Sequence, residues 1–126
     1  MKNALISFSL FLLLLVGMYF SLNYLKSTCT KILADSTKLE ELILDEKWED
    51  ADKLSNDLYY YWENKSMVLS IFVNHMEIDA LNNEILKLTQ YVRTKSKDES
   101  LASTHVVKFY TNSIINLQKI TIQNIL

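Results

Sequence analysis

Three residues in the middle of the chain have side chains that can bind metals or move protons. His75, Glu77 and Asp79 form an H-x-E-x-D run. Residues two apart on a helix lie about 200° apart around its axis, so the three side chains do not converge easily on one ion. His75 and Asp79 are four apart and can pair. We therefore interpret the run as part of a helix start and predict no metal ligands in it.

The second histidine, His105, leaves one alternative open. If the fold brought His105 beside His75 and Glu77, a metal-binding bundle would result. No serine, cysteine or lysine lies in a nucleophile motif, and a glycine-rich phosphate loop is excluded because Gly17 is the only glycine. The sequence thus favours a protein that is not an enzyme, with no catalytic residue and no cofactor.

The first structural element that the sequence predicts is an apolar segment near the amino terminus. Positions 3–25 are 23 residues without a charge, between Lys2 and Lys26. A helix of that length matches the roughly 30 Å hydrocarbon layer of a bilayer. We interpret it as an uncleaved transmembrane anchor, residues 1–25. The alternatives are a cleaved signal peptide, although no Ala-x-Ala site follows, and lipid attachment at Cys29, although a lipobox is lacking.

The anchor predicts a single-pass protein of the cell membrane. Lys26, Lys31 and Lys38 follow the span, and this charge bias alone favours a cytoplasmic domain. A short amino-terminal tail before one apolar segment is, however, typical of a signal-anchor that leaves the tail inside. We therefore expect the rest of the chain to be extracytoplasmic.

Residues 26–126 predict one small all-α domain. They contain no proline and no glycine, which favours long helices joined by tight turns. A single cysteine excludes an intramolecular disulfide, so Cys29 is expected to be a small apolar seam residue. The fold class is a transmembrane helix that continues into an antiparallel bundle of three to four helices.

Apolar residues recur at helical spacing in four segments. The first stripe comprises Leu25, Cys29, Ile32, Ser36, Leu39 and Ile43, and the second comprises Trp48, Ala51, Leu54, Leu58, Trp62, Leu69 and Phe72. The third comprises Ile78, Leu81, Ile85, Leu88 and Val92, and the fourth comprises Ala102, Val106, Phe109, Ser113, Leu117 and Ile120.

Capping signals separate these segments. Asp45 is expected to cap the second helix. Asn74 with Glu77 has the spacing of a capping box, and Ser96 with Glu99 has the same spacing. Because Met67 and Ile71 are in phase with the third stripe, positions 67–92 form either one bent helix or two. The β-branched tail 120–126 is either helix or frayed coil.

Charge is unevenly distributed along the chain. Residues 35–84 contain 13 acidic and 4 basic residues, whereas residues 85–126 contain 2 acidic and 6 basic ones. The two regions can face each other in an antiparallel bundle, or the acidic one can meet a basic partner. No strong basic patch is present to neutralise phosphates, so nucleic acid is not expected as a partner.

Two features are candidates for contact with a protein. Tyr59, Tyr60, Tyr61 and Trp62 are consecutive, and a helix spreads them over about 300°, so Tyr59 or Tyr60 must be partly exposed. Aromatic residues are enriched in contact surfaces. Gly17 and Ser21 form a small-xxx-small pair that lets a second membrane helix approach closely.

The order and spacing of several short motifs resemble a known family. These are DEKWEDADKL at 45–54, Trp62, FVNHMEIDAL at 72–81 and the ending NIL. They are similar to domain of unknown function 4363, a group of short clostridial membrane-anchored proteins. The family-motif residues here are Trp48, Ala51, Trp62, His75, Glu77, Ile78, Asp79, Asn124, Ile125 and Leu126. The resemblance implies no activity, but it implies a spore-forming bacterial host and a YetF-like membrane protein as partner.

Two kinds of function compete on this basis. The first is a non-enzymatic, membrane-tethered helical module that binds another envelope protein or a second copy of itself. The second is an extracytoplasmic four-helix sensor that binds a small ligand between its helices, or the metal-binding bundle around His75. A sensor needs a polar-lined cavity between helices, which a structure can reveal.

Overall fold

The computed structural model contains four helices and describes residues 1–125, without the side chains at positions 121, 122 and 125. The helices are α1, Lys2–Leu44; α2, Trp48–Leu69; α3, His75–Arg93; and α4, Lys97–Ile125. The described residues form no strand. The all-α fold class is thus confirmed.

Helix α1 has two halves with different surroundings. Its amino-terminal half is long and apolar enough to cross a membrane, and none of its most apolar stretch is buried. From Leu25 onward, one face is buried, and it consists of the predicted stripe together with Thr28. The helix runs without a break through Leu25 and Lys26, so the apolar half and the bundle are joined by a continuous helical rod.

The four helices form an antiparallel bundle in which each packs against its neighbours. Contacts join α1 to α2, α2 to α3, α3 to α4, and α4 back to α1. Trp62, Leu81, Ile85 and Leu88 are among the large side chains that are fully buried at its centre. Because each connection is only a few residues long, the α2–α3 turn lies at the end of the bundle from which the apolar half of α1 emerges.

The turn between α1 and α2 corrects the expectation for Asp45. Asp45 ends α1, and α2 begins at Trp48 after Lys47. The Glu46 amide donates to the Ile43 carbonyl at 3.0 Å, and the Lys47 amide donates to the Leu42 carbonyl at 2.9 Å. These are the two bonds of a Schellman motif, with Glu46 left-handed at φ 56°. The turn is thus a carboxyl-terminal cap of α1: it satisfies carbonyls that have no partner within that helix, and no described side chain caps the amides at the start of α2.

The α2–α3 turn decides between one bent helix and two. Helix α2 ends at Leu69 and α3 starts at His75, so there are two helices. The Asn74 side chain accepts a hydrogen bond from the Met76 amide at 2.9 Å, which confirms Asn74 as the cap. Val73 and Ile78 are both buried and pack in the core, as a hydrophobic staple requires.

Helix α4 packs on the opposite face from its predicted stripe. Phe109, Leu117 and Ile120 are exposed to 66, 45 and 53 %. The buried residues of α4 are Ser100, Ser103, Thr104, Val107, Thr111 and Ile114. The predicted stripe is therefore wrong as a core face. The tail remains helical as far as Ile125.

Candidate functional site

The H-x-E-x-D run lies at the first turn of α3. His75 and Asp79 are exposed, Glu77 is half-buried, and Ile78 is buried in the core. His105 lies on α4, where its Nε2 is 3.4 Å from an oxygen of Glu40 on α1. Among residues 1–125, no group of three or more His, Cys, Asp or Glu side chains could hold a metal ion. The structure therefore supplies no support for the metal-binding alternative around His75.

The tryptophan residues of the family motif are structural parts of α2. Ala51 and Trp62 are completely buried, and Trp48 is half-buried against the core. The Trp62 indole N–H has no hydrogen-bond partner within the described part of the chain. Such a large buried ring contributes through the area that it removes from water. Of the last three motif residues, Asn124 is exposed, while the Ile125 side chain and Leu126 lie outside the described residues.

The four consecutive aromatics divide between the core and the surface. Trp62 is buried, Tyr59 and Tyr61 are half-buried against the core, and Tyr60 is 61 % exposed. Lys31 Nζ lies 5.0 Å from the centre of the Tyr61 ring, which anchors that ring between α1 and α2. Tyr60 is therefore the candidate contact that the run presents to a partner, with Tyr59 packed against it at 5.6 Å between ring centres.

Gly17 and Ser21, the proposed small-xxx-small pair, lie in α1 where its apolar half meets the bundle. Gly17 is exposed, and a Cβ atom built there would meet no atom within 4 Å. Ser21, one turn later, is half-buried. Gly17 is thus open to close approach by another helix, whereas Ser21 is already partly covered by this chain.

Two polar contacts, one partly buried and one buried, join α4 to its neighbours. The Lys108 ammonium donates to the Glu40 carboxylate on α1, and the Ser103 hydroxyl donates to Glu84 on α3 at 2.8 Å. The hydrogen bond from Lys108 holds the pKa of the Glu40 carboxyl below its usual value. These contacts link α4 to α1 and to α3.

The single cysteine is not available for chemistry at the surface. Cys29 is completely buried in the α1 seam, as expected, and burial raises the pKa of its thiol to about 12. A thiol with so high a pKa carries almost no thiolate at neutral pH, and the thiolate is the reactive form.

The exposed face of α4 is a candidate contact surface that the sequence did not predict, because its apolar residues were expected in the core. Phe109, Ser113, Asn116 and Ile120 lie along it, and with Glu77 of α3 they line a shallow groove. One signal in the sequence does indicate the buried face of α4: small hydroxyl residues recur along the other side of the helix, at Ser100, Ser103, Thr104 and Thr111. These residues have the same helical spacing as the apolar stripe.

Comparisons with known proteins point to one family. The profile described as Domain of unknown function (DUF4363) matches residues 19–125. No curated protein and no solved structure matches the chain. The matched range covers the whole bundle and begins inside the apolar half of α1.

Proposed function

The chain belongs to the DUF4363 family, and we propose that it is a non-enzymatic, membrane-tethered helical module that binds another membrane protein. The apolar half of α1 spans the membrane once, and the bundle lies on the extracytoplasmic side. The partner is a YetF-like membrane protein, as the family resemblance suggests, or a second copy of this chain.

The observation that carries the proposal is the exposed apolar face of α4. Phe109 and Ile120 are more than half exposed on a helix that is otherwise well packed. Aromatic residues are enriched in protein contacts because they bury a large area with few rotatable bonds. A face of this kind on a tethered bundle favours a lateral partner.

The continuity of α1 supports the same reading. A flexible linker would let the bundle sample many orientations above a membrane, whereas an unbroken helix holds it in one. Contacts made by the span, such as those through Gly17, and contacts made by the bundle, such as those through Phe109, are then oriented together. Simultaneous engagement of two linked surfaces raises overall affinity.

Photo-crosslinking from defined positions of the full chain in its membranes tests the proposal. A photoreactive phenylalanine analogue is placed at Phe109, at Tyr60 and, as control, at Asn83, an exposed polar position on α3. We expect one discrete crosslinked species from position 109 and none from position 83. A product of twice the chain's mass identifies a second copy, and any other partner is identified by mass spectrometry.

Two results would overturn the proposal. Crosslinking that is equally weak at positions 109, 60 and 83 would show that the exposed face of α4 does not contact a partner. Release of the protein from membranes by alkaline carbonate would show that the apolar half of α1 does not span the membrane. Orientation is tested separately with a carboxyl-terminal alkaline phosphatase fusion, which is active only if the bundle is outside the cytoplasm.

A further inference from the structure

A groove opens between α1 and α4 at the end of the bundle from which the apolar half of α1 emerges. Its volume is about 390 Å³. Leu22, Leu25 and Ile115 form its apolar side, and Lys26 and Lys119 lie on its rim. An apolar side with two cationic groups on the rim is the shape of a site for an amphiphile.

The charge of the groove differs from that of the chain as a whole. The protein carries a formal net charge of −2, yet none of the described residues that line the groove is an Asp or Glu. No ion pair joins Lys26 or Lys119 to any residue in 1–125, whereas Lys31, Lys87 and Lys108 each have a carboxylate partner. Two ammonium groups that face one groove and form no ion pair with the described residues favour an anion.

Further hydrogen-bond donors point to the same ligand chemistry. The side chains of Asn112 and Asn116 line the groove from α4. Each amide has two N–H donors, and oxyanions such as phosphate are bound by donors together with cationic groups. The groove thus combines donors, positive charge and an apolar floor.

The position of the groove indicates that the anion belongs to a lipid headgroup. Leu22 and Leu25 belong to the uncharged run, and Lys26 is the first charged residue after it. In a membrane-anchored chain, Lys26 therefore lies at the level of the lipid headgroups, and the apolar floor continues into the hydrocarbon region.

A second feature places the same end of the bundle at a lipid surface. Lys65 of α2 lies over the ring of Tyr24 of α1, at 5.0 Å from its centre, so the α2–α3 turn reaches the level of the span. Met67 and Ile71, at that turn, are exposed to 77 and 82 %. Apolar side chains so exposed at this end suit contact with a bilayer.

The geometry points to an anionic phospholipid site in the α1–α4 groove. Lys26 and Lys119 hold the phosphate, the amides of Asn112 and Asn116 donate to its oxygens, and Leu22 and Ile115 contact the upper part of an acyl chain. Basic pockets between helices at a membrane surface bind lipid headgroups in this way. The inference rests on the proposed membrane tether.

Titration of the purified full chain in non-ionic detergent tests the site. The probes are acyl-labelled phosphatidylglycerol and phosphatidylcholine with the same chains. We expect tighter binding of phosphatidylglycerol, and a loss of about thirtyfold in the double variant K26Q/K119Q, since each lysine contributes about 1 kcal/mol near an anionic headgroup. The variant K26R/K119R keeps both charges and should stay within about threefold of wild type.

Lys95 and Lys97 provide the matched control. They lie at the α3–α4 turn, the opposite end of the bundle, and K95Q/K97Q removes the same charge. We expect this variant to bind phosphatidylglycerol as wild type does. Equal binding of the two lipids, unchanged binding in K26Q/K119Q, or an equal loss in K95Q/K97Q would each overturn the site.

Competition with inorganic phosphate distinguishes a lipid from a soluble anion. A large excess of phosphate should leave the labelled lipid bound if the apolar floor contributes. Complete displacement by phosphate would assign the groove to a soluble anion and overturn the lipid assignment. Alkaline carbonate extraction separates the two proposals, because a wild-type chain that stays in the membrane but shows no lipid preference contradicts only the lipid site.

Discussion

Helices α3 and α4 are neighbours in the chain and in space, yet they use their apolar residues in opposite ways. The apolar stripe of α3, which includes Leu81 and Leu88, is buried, whereas that of α4, which includes Phe109 and Ile120, is exposed. The sequence shows a regular apolar stripe in both. The difference therefore has to come from the other face of α4.

That other face carries Ser100, Ser103, Thr104 and Thr111, and the two threonines satisfy their hydroxyl groups within the helix itself. Thr104 and Thr111 each donate to the carbonyl four residues earlier, at 2.7 Å. Such back-bonding removes most of the cost of burying a hydroxyl. Small side chains also let α4 approach its neighbours closely. A face of this kind can be buried in place of a more apolar one.

The largest effect is expected from shortening a core side chain of α3. Leu88 is completely buried, so Leu88→Ala should lower the free energy of unfolding by about 2–5 kcal/mol, through lost burial and the cavity left behind. Chemical denaturation of the full chain in detergent, followed by circular dichroism, measures this. A loss below about 1 kcal/mol would contradict the burial of the α3 stripe.

Enlarging the buried face of α4 should have the next largest effect. Thr111 is completely buried, so Thr111→Leu should cost about 1–3 kcal/mol by overpacking. Ala102, which is exposed on the same helix, is the matched control, and Ala102→Leu should change stability by less than about 0.5 kcal/mol. If Ala102→Leu were the more damaging of the two in the same denaturation experiment, the assignment of the α4 faces would be reversed.

A smaller effect, visible in acid, concerns the ion pair that attaches α4 to α1. The pKa of Glu40 is lowered from its ordinary value of 4.5 by Lys108. A lowered carboxyl pKa stabilises the folded state above the unfolded pKa, and this contribution is lost as the pH falls through the folded value. Between about pH 6 and pH 3, wild type should therefore lose more thermal stability than Glu40→Gln.

Thermal melts followed by circular dichroism across this pH range measure the difference. Lys108→Gln provides a second test, since it removes the partner and should reduce the acid dependence in the same direction. Parallel pH profiles for wild type and both variants would show that the pair makes no net contribution.

The smallest effect on stability is expected from the exposed stripe itself. Phe109→Ala removes a ring that is 66 % exposed, so the free energy of unfolding should change by less than about 0.5 kcal/mol. Denaturation of this variant beside Leu88→Ala gives the direct contrast between the two stripes. A loss of 2 kcal/mol or more would place the ring in a packed environment and remove it as a free contact surface.

Local signals in the sequence were sufficient for much of the fold. The helical spacing from Leu25 to Ile43 predicted every residue of the buried face of α1 except Thr28, and Asn74 was confirmed as a cap. Both depend on residues within one or two turns of each other, so they are encoded locally. The turn at Asp45 is local too, but there the helix carboxyl end, with Glu46 in a left-handed conformation, prevailed over the cap that was predicted.

The sequence by itself determined the all-α class, the apolar segment and most of the buried stripe of each of the first three helices, because helical periodicity acts within a few residues. It left open whether positions 67–92 form one helix or two, and the structure has two. Only the tertiary structure decided which face of α4 is buried, because both faces are regular and the choice depends on the shapes that α1 and α3 offer. The same packing placed His105 beside Glu40 of α1, and among the described residues it forms no metal-binding group with the H-x-E-x-D run. It also brought Lys26 and Lys119, 93 positions apart in the chain, to one groove. Contacts between residues so distant in sequence are fixed by how helices pack, which no local pattern specifies.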